Sequence, residues 1–263
     1  MPRRVRALAS FLLVLAACRP DTVDLTYRFP EEPREYRLEA RITSRYDIGE
    51  TGEGSCRVVL DVSERVRERD EESAVVEVTM TPVDVVEEGL GCPRGGGFAL
   101  RIDADGRVLE VLEVDGVDAA ELAQEEEAFI GTYRPTLPEA PVSLGDAWES
   151  APRPEVGSLA QLTTRGELDS LYMAEDGPVA ELSYSGSGDL EWQTDLPQGT
   201  AGLGGSATTR AEATFDIDRG VLLSASSTLR GDFDVRVQPT GGGGTPVTGT
   251  LSLDLELTVS ARD

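Results

Sequence analysis

The chain has 263 residues, with 24 Lys and Arg against 49 Asp and Glu, no His, and a net charge of −25. That acidity excludes nucleic-acid binding and flat adsorption on anionic lipid, since both require the opposite sign. The absence of His removes the commonest general base and metal ligand, and with it every Ser–His or Cys–His catalytic pair.

Arg3, Arg4 and Arg6 form a short basic region, followed by a mostly apolar run over residues 7–17 that includes Phe11, Leu12, Leu13, Val14 and Leu15. Such a run suits the hydrophobic segment of an export signal and is too short to span a bilayer, which takes about 20 residues. It ends in Leu15-Ala16-Ala17-Cys18, an aliphatic residue, two small ones and a cysteine. This resembles the lipobox of bacterial lipoproteins. The resemblance implies cleavage before Cys18, a diacylglyceryl thioether on its sulfur, and often a third acyl chain on the new amine. Two acyl chains anchor stably where one is marginal, because each buried methylene adds ~0.8 kcal/mol. Residues 1–17 therefore read as a lipoprotein signal peptide and 18–21 as a lipidated tether, with the remainder extracytoplasmic at a cell membrane or cell envelope. The alternative is an ordinary secretory signal with an incidental cysteine. Cleavage would leave 21 Arg against 49 carboxylates, a net charge of −28.

Cys56 and Cys92 remain as an even pair in an oxidising compartment, which reads as one disulfide. It closes a loop of about 37 residues, contributing roughly 3–4 kcal/mol on the chain-entropy account. Two free buried thiols are the alternative. A metal site needs more ligands than this pair offers.

Strand patterns begin directly after the tether. Val23, Leu25, Tyr27 and Phe29 fall at every second position, and Tyr36, Leu38, Ala40 and Ile42 repeat the period against Arg37, Glu39 and Arg41. Strict alternation places one face on a core and the other in water. Further strands are expected over 57–62, 74–81, 97–102 and 108–114, with Asp103-Ala104-Asp105-Gly106 as the tight turn between the last two. One short helix is expected over 118–130, with Asp118 as N-cap, Glu121 three residues on, and Leu122, Phe129 and Ile130 on its apolar side. The Pro-containing stretch 134–141 reads as an extended link. It divides a first β-rich half, 22–133, from a second, 134–263.

In the second half strands are expected over 147–149, 159–172, 179–192, 208–217, 221–229, 231–238 and 248–261. The last alternates most clearly, Leu251, Leu253, Leu255, Leu257 and Val259 against Ser252, Asp254, Glu256, Thr258 and Ser260. Gly241–Gly244 reads as a flexible hairpin loop. The stretch 98–109 can be set against 215–222: both have an aromatic strand, an acidic turn with Gly, and a returning aliphatic strand. That raises an internal duplication beside a chance likeness of two hairpins. The fold class expected is all-β or β-dominated α+β, a curved antiparallel sheet or half-barrel.

A calcium-loop reading of the Asp103/Asp105 turn fails, because with Gly106 at the sixth position the first and twelfth become Arg101 and Leu112, where acids are required. There is no Gly-x-Ser-x-Gly elbow, phosphate loop or zinc spacing. Glu125, Glu126 and Glu127 read as a solvated helix face. Trp148 and Trp192 would line a pocket or, more commonly for Trp on a strand, pack half-buried. Neither an enzyme nor a cofactor is expected.

The succession of a Phe-x-Leu strand pair closed by Asp-Gly-x-Val, a short helix, Leu137-Pro138, and Val142-x-Leu144-Gly145-Asp146-x-Trp148 resembles an uncharacterised family of bacterial lipoproteins. More distantly it is similar to the envelope lipid carriers of the LolA, LppX and LprG type. That likeness implies a strongly curved antiparallel sheet wrapped around helices and enclosing an apolar cavity; this chain offers one helix where those carriers use several. The function expected is membrane-tethered binding of a lipid or other apolar ligand, with a tethered envelope scaffold or protein-binding module with a solid core as the alternative. A curved sheet with one apolar face can enclose a cavity, and Ser185-Gly186-Ser187-Gly188 suits the curvature. The discriminator is whether the inward-facing side chains pack without a void.

Overall fold

A computed structural model describes residues 22–89, 92–93, 95–118, 134–150, 162–196, 199–239 and 245–262. Among them twelve strands form one antiparallel sheet: β1 (Arg34–Asp47), β2 (Thr51–Arg69), β3 (Ser73–Glu88), β4 (Gly96–Asp103), β5 (Val108–Val114), β6 (Val117–Asp118), β7 (Ala147–Ser150), β8 (Thr164–Ala174), β9 (Gly177–Leu196), β10 (Gly199–Asp216), β11 (Val221–Pro239) and β12 (Val247–Ala261). The order is β6-β5-β4-β3-β2-β1-β12-β11-β10-β9-β8-β7. Successive strands are neighbours, β12 returns to pair with β1, and the open edges are β6 and β7. The curved sheet is thus a half-barrel whose gap falls in mid-chain, between the sixth and seventh strands.

The alternation read from the sequence sets the inner face. Leu38 stands between Leu60 on β2 and Val259 on β12, and Ala40 between Val58 and Leu257, all buried. Their sequence neighbours Arg37, Glu39 and Arg41 lie on the outer face, where Arg57 binds Glu39 at 2.9 Å and Asp84 at 3.1 Å. A one-residue slip would turn every apolar side chain outward, so burial of one face locks the register.

One end of the half-barrel is closed by chain that is not part of the sheet. Residues 22–29 keep the expected alternation, with Leu25, Tyr27 and Phe29 buried, but form only a bridge at Val23 to Val142 rather than a strand. The reason is visible in the backbone bonds: the Tyr27 N–H donates to Ala104 O in the β4–β5 turn at 2.7 Å, and the Arg28 N–H to Gly220 O in the β10–β11 turn at 2.9 Å. The segment therefore stitches two hairpin tips together instead of lying along an edge. The Pro-containing link is held to the β4–β5 turn by Leu137 N–H on Asp105 O at 2.9 Å, and just after it Gly145 N–H donates to Leu168 O of β8 at 2.8 Å. Its Arg134 side chain reaches inward and binds Glu64 of β2, Nε to Oε1 at 3.0 Å and Nη2 to Oε2, and sits over the Tyr27 ring at 5.6 Å. The Tyr27 hydroxyl donates to Pro135 O at 3.0 Å, and burial holds that phenol well above its ordinary pKa.

Several boundaries differ from those expected. The strands expected over 221–229 and 231–238 are one continuous β11, because Gly231 is buried on the inner face with the Phe233 ring lying across it. Val114-Asp115-Gly116-Val117 is a two-residue hairpin with φ of 51° and 79° at its centre, which creates β6. Asp118 is the last residue of β6, and the rest of the helix expected over 118–130 lies outside the described residues. The first half contributes β1–β6 and the second β7–β12, each laid down in the same sequential order.

Candidate functional site

The disulfide expected between Cys56 and Cys92 is formed, with a Cα–Cα distance of 5.4 Å. It ties the loop after β3 to an inner-face position of β2, and the Cys92 N–H also donates to Glu87 Oε1 at 3.0 Å. Cys18, the signal peptide, Glu125–Glu127 and Gly241–Gly244 lie outside the described residues.

The acidic turn is structural. Asp103 Oδ1 accepts the N–H groups of Asp105 at 3.1 Å and Arg107 at 2.8 Å, closing the hairpin on itself. Gly106 has a φ of 83° and its Cα faces the Tyr27 ring so closely that a Cβ would stand 2.3 Å from a ring carbon. Asp216, buried at the β10–β11 turn, plays the same part by accepting the Arg219 N–H at 2.8 Å. The two stretches set against each other in the sequence thus both end in turns fastened by an aspartate and held to adjacent residues, Tyr27 and Arg28. Among the described residues no group of His, Cys, Asp and Glu could hold a metal ion.

Trp148 is half-buried. It lies across Gly166, its cross-strand partner, meets Tyr184 edge to face at 5.8 Å, and donates from Nε1 to Thr136 O at 3.2 Å. A bulky ring over a strand glycine covers backbone that would otherwise be open. Tyr46 over Gly52 repeats the device in β1 and β2. Trp192 falls on β9; its side chain is outside the described set.

The inner face divides into two regions. Toward the closed end it is solid: Leu25, Leu38, Leu60, Leu100, Leu168 and Phe215 are each fully buried, and Phe215 meets Tyr27 edge to face at 5.3 Å. Away from that end β9–β12 run on past this core. There a second apolar cluster of Leu162, Leu190, Ala207, Leu229 and Phe233 is bordered by Leu203, Leu251, Leu253 and Leu255, which are half-buried. Leu251, Leu253 and Leu255 share the inner face with Ile42, Ser44 and Tyr46, their cross-strand partners on β1. Burying a leucine fully is favourable by about 1.5–3 kcal/mol, so four leucines left partly exposed on the inner face retain a fraction of that for an apolar occupant.

Sequence reasoning missed the Glu64–Arg134 pair. A signal was present: Val58, Leu60, Val62 and Glu64 share one parity, so an acid stood on an apolar face.

No family model matches the chain, and no curated protein sequence matches it. Among solved structures, Pseudomonas aeruginosa OccK11 (OpdR) aligns over 90% of this chain and 98% of its own at 10% identity, with a TM-score of 0.22. Pseudomonas aeruginosa OccK2 (OpdF) in complex with glucuronate aligns over the same shares at 10% identity, with a TM-score of 0.20. Likeness at this level carries no weight for the function of this chain.

Proposed function

We propose that the chain is an exported, lipid-anchored envelope protein that binds an acyl chain or similar apolar ligand on the inner face of its half-barrel, and that it is not an enzyme. The observation that carries this is the leucine-lined region of the inner face beyond the solid core, where Leu203, Leu251, Leu253 and Leu255 stay only partly buried. What supports a carrier over a scaffold is that these partly exposed leucines are grouped on one inner-face region rather than scattered. The anchor follows from the Leu15-Ala16-Ala17-Cys18 motif.

The test is native mass spectrometry of the unlipidated mature chain, residues 19–263, exported so that Cys56 and Cys92 oxidise. A stoichiometric bound lipid, released by organic solvent, is the expected result. A clean apo mass with no uptake of offered lipid would transfer the assignment to the tethered scaffold. For the anchor, Cys18→Ser is expected to abolish metabolic lipid labelling and release the chain or leave an uncleaved precursor; unchanged labelling would refute it.

A further inference from the structure

The outer face of β8–β11, on the side of the sheet opposite the leucine-lined region, carries an open groove of about 660 Å³, within the ~300–1,000 Å³ of small-molecule sites. Its charged members are Arg165, Arg210 and Arg230, with Glu149 at the β7 side. Between them stand hydroxyl groups, chiefly Ser185, Ser187, Thr208 and Thr228. The strand register explains the grouping: Glu149, Arg165, Ser185, Arg210 and Thr228 form one cross-strand row over β7–β11. Arg165 and Arg210 flank Ser185 on either side, so two strand spacings of about 4.8 Å separate their backbones. Arginine side chains are long enough to converge over the serine from both sides.

The arginines of this row are paired differently from Arg57 and Arg67. On the other half of the outer face, Arg57 sits between Glu39 and Asp84, and Arg67 between Glu77 and Glu113. In the groove Arg230 pairs with Asp254 at 3.0 Å, but among the described residues Arg165 and Arg210 have no carboxylate within ion-pairing distance. In a chain with 49 acids and 24 basic residues, a groove lined by three arginines and one glutamate, two of the arginines outside any ion pair among the described residues, carries a local excess of positive charge.

We propose that this groove binds a phosphate group carried on a hydroxylated molecule. The guanidinium forks of Arg165 and Arg210 hold the phosphate oxygens by charge-assisted hydrogen bonds, while the serine and threonine hydroxyls and Glu149 bind the ligand's hydroxyls. The site does not depend on the apolar-ligand reading, since it uses the other face of the sheet. A phosphosugar and a phospholipid headgroup share this chemistry, and the experiment separates them.

The full chain, purified from membranes in a nonionic maltoside detergent, is titrated calorimetrically with inorganic phosphate, with glucose 6-phosphate, and with phosphatidylglycerol doped into the micelles. Saturable binding of glucose 6-phosphate, tighter than inorganic phosphate, is expected; saturation by phosphatidylglycerol instead would assign the same phosphate site to a lipid headgroup. In either case Arg165→Gln and Arg210→Gln should each weaken binding by about tenfold, with the thermal unfolding of the variants unchanged because both side chains are exposed. Absence of binding by all three probes, or binding that survives the double substitution, overturns the proposal.

Discussion

Replacing Glu64 by Leu should be among the most destabilising single changes in the protein. Glu64 and Arg134 are each only 4% exposed in their side chains, and the pair fastens the link between the two halves to β2 against the Tyr27 ring. Removing the carboxylate leaves the buried guanidinium without its counter-charge, at a cost of about 3–5 kcal/mol. Arg134→Met removes the cation but leaves the carboxylate in the same apolar setting, and the cost is again about 3–5 kcal/mol. For a domain of this size each kcal/mol moves Tm by roughly 2–4 °C, so each single variant should melt roughly 6–20 °C lower. The double variant Glu64→Leu/Arg134→Met buries no charge and should recover most of the loss, because a well-packed apolar pair replaces a buried ion pair at little net cost. Thermal unfolding followed by circular dichroism on the oxidised chain measures all three. Single variants within 1 °C of the parent, or a double variant that loses the sum of the singles, would refute the assignment of this pair as a buried, mutually dependent clamp.

Removing the Cys56–Cys92 cross-link by the double change to Ala should lower stability by about 3–4 kcal/mol, read from the urea midpoint with and without reductant; equal midpoints for parent and variant in the absence of reductant would contradict it. Gly106→Ala and Gly116→Ala test packing at matched backbone, since their φ values are 83° and 79° but only the first would drive a Cβ into Tyr27. Gly116→Ala should cost about 1 kcal/mol and Gly106→Ala clearly more, through strain plus a displaced ring; equal losses by denaturant titration would count against the turn as the seat of residues 22–29. Burial, followed by the charge of Asp103, raises the pKa of Asp105. A carboxylate whose folded pKa is raised favours the fold below its unfolded value near 4 and loses that contribution as pH rises through the folded one. Asp105→Asn should therefore raise Tm at pH 7 and leave it unchanged at pH 3, and a gain of equal size at both pH values would refute the cause given.

Strand identity was legible where alternation ran uninterrupted. Leu251 to Val259 against Ser252 to Ser260 marks β12 almost to its ends, and β5 begins and ends where the pattern does. Extents were less legible, since β2 and β3 run beyond their apolar cores into residues such as Glu64–Arg69 and Asp84–Glu88 that resemble loop by composition. The segment 22–29 shows why periodicity alone does not make a strand: alternate burial is satisfied there against the end of the sheet, with backbone partners drawn from turns. The Asp115-Gly116 hairpin carried a strong local signal that was passed over in favour of the helix expected after it. The outer groove was hidden for a different reason. Arg165 and Arg210 are 45 positions apart in the chain and ordinary as solvent-facing strand residues; only the register of β8, β9 and β10 brings them to either side of Ser185.

Titration of the mature chain with a fluorescent fatty acid, parent against Leu203→Gln/Leu253→Gln, tests whether the leucine-lined inner face holds an apolar ligand. Both positions are half-buried on the inner face, away from the solid core, so the fold should survive the change. Saturable, one-to-one binding by the parent is expected, with affinity at least about tenfold weaker in the variant because amide groups replace apolar contact. Equal affinity in the two proteins, or no saturable binding by the parent, would contradict it.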